Sequence, residues 1–182
     1  MSAPPDLDLD AAQFRRAMGK FATGVTVITF EHEGRTAGMT ANAFMSLSVD
    51  PPMILVSVRA QARFAQSIVS GDAFGVSFLA QHQEALSRHF GGQPRDGLDD
   101  PFERTGGVPV VRAALVQIAA RANAIHRGGD HLIYTADVEA LRESDGPPLL
   151  FHGGKYRQIV GHDPLLCWRD WAHDAVSLAG DE

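Results

Sequence analysis

The sequence predicts a mainly β fold, an antiparallel barrel with short helices inserted between its strands. Two long alternating runs, 116–124 and 132–140, each place apolar side chains on one face, and the residues between them, 127–130 (Arg-Gly-Gly-Asp), form a strong hairpin signal. The other strand-like segments do not alternate regularly with helices, which disfavours a doubly wound parallel sheet.

The first half of the chain is expected to contain both helices and strands. Apolar residues recur at helical spacing between Asp10, which is suited to cap a helix, and Gly24, and they predict a helix over about 11–23. The β-branched run that follows changes the period to that of a strand. The remaining elements predicted here are strands 25–30, 35–41, 53–58 and 73–79, a hairpin turn at 31–34, and helices 61–70 and 81–90.

The second half is expected to begin with a long loop at 91–108, which is rich in Gly, Pro and Asp. After the two long strands, a final strand or pair is expected at 148–151 and 155–160. The predicted organisation is a loose N-terminal arm at 1–10, one barrel domain at 11–160 and a C-terminal helical extension at 161–182.

Composition excludes several classes of protein. The 182 residues are 45% hydrophobic, enough for a sizeable core, and the net charge of -6 disfavours general binding to nucleic acid or a membrane surface. A single cysteine, Cys167, excludes a disulfide framework and a cysteine-based zinc site. The chain shows neither a membrane-spanning run nor a signal peptide, so we expect a soluble cytoplasmic protein.

The sequence lacks the motifs of several common enzymes, including the dinucleotide-binding glycine fingerprint, the P-loop, the nucleophile elbow and the His-Glu-x-x-His metal site. What remains is polar residues in strand-like surroundings. Thr40, Asn42, Ser46 and Ser48 would share one side of an extended segment. Small residues beside them would let a flat ring, such as a flavin or pterin, approach the backbone. The alternative interpretation is the polar face of an edge strand.

Two further groups are candidates for binding anions. Arg59, Arg63, Arg88 and His89 form a basic set in an acidic chain, which favours an anion site; solvent-exposed arginines are the alternative. His131 opens a predicted strand, where it could meet a phosphate or a carbonyl group; a purely structural histidine is the alternative.

Several motifs, in order, carry a family resemblance. They are Phe14-Arg-Arg-Ala-Met18, Thr23-Gly-Val-Thr-Val-Ile-Thr29, Gly38-Met-Thr-Ala-Asn-Ala-Phe44 with Ser46, Asp50-Pro-Pro52, Phe74-Gly-Val-Ser-Phe-Leu79, Ser87-Arg-His-Phe90 and Gly129-Asp-His-Leu-Ile-Tyr134. Over residues 12–160 the chain resembles the short-chain flavin reductases, the reductase components of two-component flavin-dependent monooxygenases. The resemblance implies a homodimeric split barrel that binds FMN or FAD and reduces it with NADH or NADPH for a separate monooxygenase.

The resemblance also implies the residues of the site. His131 would be the catalytic residue, beside the nicotinamide or the flavin ring. The loop after Val58 would take the flavin phosphate, but Ala62 and Phe64 stand where the family often has Ser and Thr. The implied cofactor-binding positions are Met39, Thr40, Ala41, Asn42, Ser46, Ser57, Arg59, Gln61, Arg63, Phe64, Arg88, His89, Phe90 and Tyr156, with no metal. The alternatives are an oxidase that retains FMN and a non-enzymatic flavin- or haem-binding module on the same barrel.

Overall fold

The computed structural model describes residues 10–95, 97 and 99–159. The helical extension predicted at 161–182, and all but the last residue of the predicted arm at 1–10, lie outside these residues. Within the described ranges, no helix combines the length and the apolar character needed to cross a bilayer.

Strands make up most of the described chain. The helices are α1 (Ala11–Met18), α2 (Arg63–Ser67) and α3 (Glu84–Phe90), the last preceded by a 3-10 turn at Gln81–Gln83. The strands are β1 (Thr23–Gly24), β2 (Thr26–His32), β3 (Arg35–Ala41), β4 (Phe44–Val49), β5 (Pro52–Arg59), β6 (Ala73–Phe78), β7 (Phe102–Thr105), β8 (Val108–Val111), β9 (Val116–Gly128), β10 (His131–Glu143), β11 (Leu150–His152) and β12 (Lys155–Arg157).

Seven of these strands form one antiparallel sheet in the order β3-β2-β6-β9-β10-β5-β4. Its two edge strands, β3 and β4, are consecutive in the chain and are joined only by Asn42 and Ala43. The three Cα–Cα steps from Ala41 to Phe44 span at most about 11 Å, so the edges must approach each other at this point. The sheet therefore curls into a barrel with a gap between β3 and β4, which we call the seam. The predicted mainly β, antiparallel fold is confirmed.

The interior of the barrel is built around Phe64, which α2 inserts into the core. Its side chain is fully buried, and its ring makes edge-to-face contacts with Phe30, Phe74 and Tyr134 at centroid distances of 5.3, 5.2 and 4.9 Å. Such aromatic pairs contribute beyond the area they bury. The short helix α2 is thus anchored to the barrel by one aromatic side chain.

The long hairpin β9–β10 is confirmed, but its alternation is interrupted. The register shifts between Thr135 and Ala136 and again between Val138 and Ala140. A bulge reverses which side chains face the core. As a result Ile125, rather than the predicted Ala124, packs against the main core, and Ala140 packs against a separate small cluster.

Two predicted elements are wrong in extent. The first helix ends at Met18 instead of continuing to 23, because Gly19 closes it and the chain then turns toward β1. The predicted loop at 91–108 contains β7, the Gly106-Gly107 turn of the β7–β8 hairpin and the first residue of β8. Both turn glycines have positive φ, so the residues that suggested a loop instead connect two strands.

The other predicted elements are confirmed in kind, with shifted ends. The helix predicted at 61–70 is reduced to α2, and the one predicted at 81–90 begins with the 3-10 turn. The final pair of strands is β11 and β12, and β11 also pairs with β1, so the three form a small separate sheet.

Candidate active site

A cavity of about 590 Å³ lies where the end of β3 meets α3 and the β11–β12 hairpin. We call it the first cavity. It brings together five of the predicted site residues, Thr40, Ala41, Asn42, Arg88 and Tyr156. The other residues that line it are Val25, Glu84, Ser87, Gly91, Gln93, Phe151, Gly154 and Lys155.

Helix α3 is held against β3 by two contacts. The Thr40 hydroxyl donates a hydrogen bond of 2.7 Å to the Ser87 carbonyl oxygen. Two residues earlier on the same face of β3, Gly38 lies beneath the Phe90 ring, and a Cβ at Gly38 would be only 2.8 Å from Phe90 Cδ1. Glycine is therefore required for this close approach of strand and helix. The Thr40 hydroxyl keeps its lone pairs available as acceptors.

Arg88 is oriented at the edge of the first cavity by two neighbours. Its guanidinium bonds Glu84 one turn earlier at 2.7 to 2.8 Å, and its Cζ lies 4.8 Å from the centroid of the Tyr156 ring. The Tyr156 hydroxyl in turn lies 2.8 Å from Ser87 Oγ. An exposed ion pair of this kind contributes little stability, but these contacts fix the direction of the cation.

A second group of predicted residues lies at the ends of β5 and β10. His131 is paired with Arg59 across the two strands, and Ser57 lies two residues before Arg59 on the same outer face, since Val56 and Val58 point into the core. Ser57 also connects this group to the seam, because its N–H donates to the Ala43 carbonyl oxygen at 3.0 Å. Strand geometry places Arg59 about 7 Å from Ser57.

His131 has a carboxylate partner that the sequence did not identify. Its Nδ1 lies 2.8 Å from Asp130 Oδ1. The hydrogen bond with His131, and then the charge of that ring, lower the pKa of the fully exposed Asp130 carboxyl. An ionised Asp130 accepts a hydrogen bond from Nδ1–H of His131, which leaves Nε2 of a neutral ring as an acceptor.

The predicted basic set does not form a single cluster. Arg88 borders the first cavity and Arg59 lies beside His131, whereas Arg63, His89 and Phe90 line a different cavity of about 1000 Å³, which we call the second cavity. The sequence could not show this division, because α3 docks on β3 and separates Arg88 from His89.

The four remaining predicted residues line neither the first nor the second cavity. Phe64 is fully buried, and Met39 packs against the same core, so either could contact a ligand there only through its backbone. Ser46 is exposed on β4 and Gln61 is exposed in the turn before α2. The expectation that residues 40–48 form one extended segment is wrong: the chain leaves strand structure at Asn42, and β4 has a bulge between Ser46 and Ser48.

Several lining residues were missed by sequence reasoning. Glu84 could have been found from its spacing of four residues before Arg88, which is typical of a helical ion pair. Ser87 lay within a quoted motif but was given no role. Phe151 pairs with Tyr156 across the β11–β12 hairpin at a centroid distance of 5.4 Å, and the intervening Gly153-Gly154 was the signal for it.

The residues of the first cavity fit a flavin. Its volume lies in the range typical of small-molecule sites, about 300 to 1000 Å³. The segment 40–42 offers small, uncharged side chains and backbone groups at the seam, Phe151 and Tyr156 offer aromatic surface, and Arg88 offers a fixed cation. The described residues contain no group of three or more His, Cys, Asp or Glu side chains placed to hold a metal ion.

Comparisons with known proteins show the family of this chain. The family model of the flavin reductase like domain matches residues 18–160. An NADH-dependent flavin reductase of a Rhodococcus species is 39% identical over 163 residues, which cover 87% of this chain and 93% of that protein. The reductase component of a 4-hydroxyphenylacetate 3-monooxygenase from Thermus thermophilus is 38% identical over 148 residues, covering 81% and 95%. The structure of flavin reductase PheA2 in its native state matches with a TM-score of 0.78 at 43% identity, covering 84% of this chain and 100% of that one. The predicted family is confirmed, and the chain belongs to the flavin reductase like domain family.

Proposed function

We propose that this chain reduces a flavin, FMN or FAD, with NADH and supplies the reduced flavin to a separate monooxygenase component. The observation that carries the proposal is the first cavity, in which an uncharged backbone segment, two aromatic rings and an oriented arginine face one space. The names of the relatives support the reaction: one is an NADH-dependent flavin reductase and another is the reductase component of a monooxygenase.

Hydride transfer from the nicotinamide to the flavin is the chemistry that these two cofactors supply when bound. The protein has to bind two flat rings, hold them in contact and limit the access of water. The first cavity meets this task with the uncharged segment 40–42 and the aromatic rings of Phe151 and Tyr156. No side chain of the chain has to form a covalent bond with the substrate.

We propose two groups of flavin-binding residues along the seam, one for the ring and one for the phosphate. The segment Thr40–Asn42 would contact the ring, and Tyr156 would flank it. From there the hydrogen bond between Ser57 and Ala43 leads to the end of β5, where Arg59 and the exposed turn residue Gln61 would take the phosphate. Ser46, exposed on β4, would contact the polyhydroxy chain.

His131 is proposed to position the nicotinamide cofactor, and Asp130 to hold its imidazole. The hydrogen bond of 2.8 Å between them orients the ring at the end of β10. We expect His131→Ala to raise the KM for NADH at least tenfold, while His82→Ala, at an exposed histidine that borders neither the first nor the second cavity, leaves it unchanged. Loss of turnover with an unchanged KM for NADH would contradict the positioning role.

A homodimer is proposed from the outer edge strand β4. Its side chains Met45, Leu47 and Val49 are 51, 41 and 88% exposed, which is unusual for three apolar residues on one short edge strand. Val49→Lys should shift the mass measured by light scattering toward the monomer. Val69→Lys, at a loop valine that is 62% exposed, is the control. Identical masses for both variants and the parent chain would contradict an interface at β4.

Consumption of NADH is the decisive test of the proposed reaction. Purified protein is mixed with NADH and either free FMN or free FAD, and the loss of the nicotinamide absorbance band is followed. Fast loss that depends on the flavin is the expected result, and NADPH in parallel gives the nicotinamide preference. Tight flavin binding without NADH loss would favour an oxidase or a binding module instead.

A reductase that draws on cellular NADH would act in the cytoplasm.

A further inference from the structure

Helix α1 presents an apolar face that no described residue covers. None of its eight residues is buried, and Phe14 and Met18, one turn apart, are 49 and 55% exposed. Phe21, just beyond the helix, is 77% exposed. A helix this short is marginal in water and depends on packing of its apolar face against another element. The fold therefore needs an occupant for this face from outside the described residues.

The segment beyond residue 160 has the sequence of such an occupant. Asp163-Pro164 is suited to begin a helix. Apolar residues then recur at the spacing of one helical face: Leu165, Trp168, Ala172 and Ala175. Aspartates recur at the spacing of the opposite face: Asp163, Asp170, Asp174 and Asp181. The pattern predicts an amphipathic helix with one apolar stripe to bury.

The described chain ends close to α1. In the turn between β11 and β12, the Gly153 N–H donates to the Gly19 carbonyl oxygen at 2.8 Å, which ties the end of α1 to this hairpin. Arg157, the last residue of β12, lies about 10 Å along the strand from that turn. The stretch 158–165 can span at most about 28 Å. Leu165 is thus within reach of α1 of the same chain.

The two segments also carry opposite charges. Residues 11–21 have no acidic side chain and three cationic ones, Arg15, Arg16 and Lys20. Residues 161–182 have five acidic side chains and one arginine. Opposite charges on segments tethered this closely favour their contact. The family model matches 18–160, so most of α1 and all of 161–182 flank the part of the chain that it matches.

We propose that residues 163–178 dock as a helix on the exposed apolar face of α1 in the same chain and bury Trp168 there. Docking would give α1 the packing that its length requires. Through the bond between Gly153 and Gly19, the pair of helices would also support the β11–β12 hairpin, whose residues Lys155 and Tyr156 line the first cavity.

Tryptophan fluorescence tests the docking in the full chain, because Trp168 and Trp171 are its only tryptophans. In Trp171→Phe all tryptophan emission comes from Trp168, and its maximum should lie at shorter wavelength than in the same chain unfolded by urea. Adding Phe14→Glu puts a carboxylate into the apolar face of α1, so the maximum should move to the unfolded value. Glutamate is a good helix former near a helix start, so α1 itself is preserved, and circular dichroism checks the fold.

The matched control is Val69→Glu, at a valine that is 62% exposed in the loop before β6. The other end of β6 is the one next to Val25 and β1, where Leu79 N–H donates to the Val25 carbonyl oxygen at 3.0 Å. Val69→Glu should therefore leave the emission of Trp168 unchanged. The proposal is overturned if Trp168 emits in the folded chain as it does in urea, or if Phe14→Glu and Val69→Glu give the same maximum.

Cross-linking separates docking within one chain from docking between two copies. Cys167 is the only cysteine, so Ala17→Cys, at an exposed position on α1, gives a short bismaleimide reagent one further site. A product with the mass of one chain is expected, and Val69→Cys should not form it. A product with the mass of two chains would assign the face of α1 to a second copy and overturn the proposal, as would equal one-chain yields from Ala17→Cys and Val69→Cys.

Discussion

The hydrogen bond between Ser87 and Tyr156 gives a prediction about stability at the first cavity. Both residues border the cavity, but Ser87 is fully buried in α3 while Tyr156 is half-buried, and their side-chain oxygens are 2.8 Å apart. Tyr156→Phe leaves the buried Ser87 hydroxyl without a partner, which costs about 2 kcal/mol. Ser87→Ala leaves the Tyr156 hydroxyl able to reach water, which costs about 1 kcal/mol.

The double variant removes both polar groups and should cost about 1 kcal/mol, less than the sum of the two single changes. The free energies of unfolding are measured by urea denaturation with a common slope. Ser70→Ala removes an exposed hydroxyl and should cost less than about 0.5 kcal/mol, which makes it the control. A smaller cost for Tyr156→Phe than for Ser87→Ala would refute the argument from burial.

Two further predictions concern backbone packing and pH. Gly75→Ala should destabilise the fold by about 3 kcal/mol, because its Cβ would overlap the Pro109 carbonyl group. Gly24→Ala, whose Cβ meets nothing within 4 Å, is the control and should change stability by less than about 1 kcal/mol. Equal melting temperatures for the two variants would contradict this reasoning. Because its pKa is lowered in the folded protein, Asp130 stabilises the fold above its ordinary pKa of about 4 and loses this effect as pH falls below it. Asp130→Asn should therefore flatten the fall in melting temperature between about pH 5 and pH 3, and an unchanged slope would show that the bond to His131 has no such effect.

Much of the fold could be predicted because its signals are local. The β9–β10 hairpin combines a strand period with a glycine turn, and both are visible within about thirty residues. The bulges in that hairpin could not be predicted, since neither Asn123 nor Glu139, the residues at which the pairing skips, breaks the local sequence pattern of a strand. The β7–β8 hairpin was missed because its two strands are only four residues long and Gly106-Gly107 is equally typical of a loop.

The site was predictable in its residue types and less so in its geometry. Thr40, Asn42, Arg88 and Tyr156 share the first cavity although 116 residues separate the first from the last, and only the family resemblance placed them together. Periodicity could not have shown that Arg88 and its neighbour His89 enter different cavities. That separation depends on the packing of α3 on Gly38, a contact between elements distant in sequence.

The seam between β3 and β4 determines what kind of recognition the ring-binding segment can provide. Each of these strands is paired on one side only, so the peptide groups of β3 and β4 that point into the seam have no ladder partner among the described residues. A ligand docking there meets main-chain donors and acceptors whose chemistry is the same for every residue type except proline. Substitutions that preserve the backbone path at positions 41 to 43 should therefore alter ligand preference little, whereas proline at position 41 or 42 should impair binding. Ligand recognition at positions 41 to 43 therefore depends on the path of the backbone rather than on the side chains there.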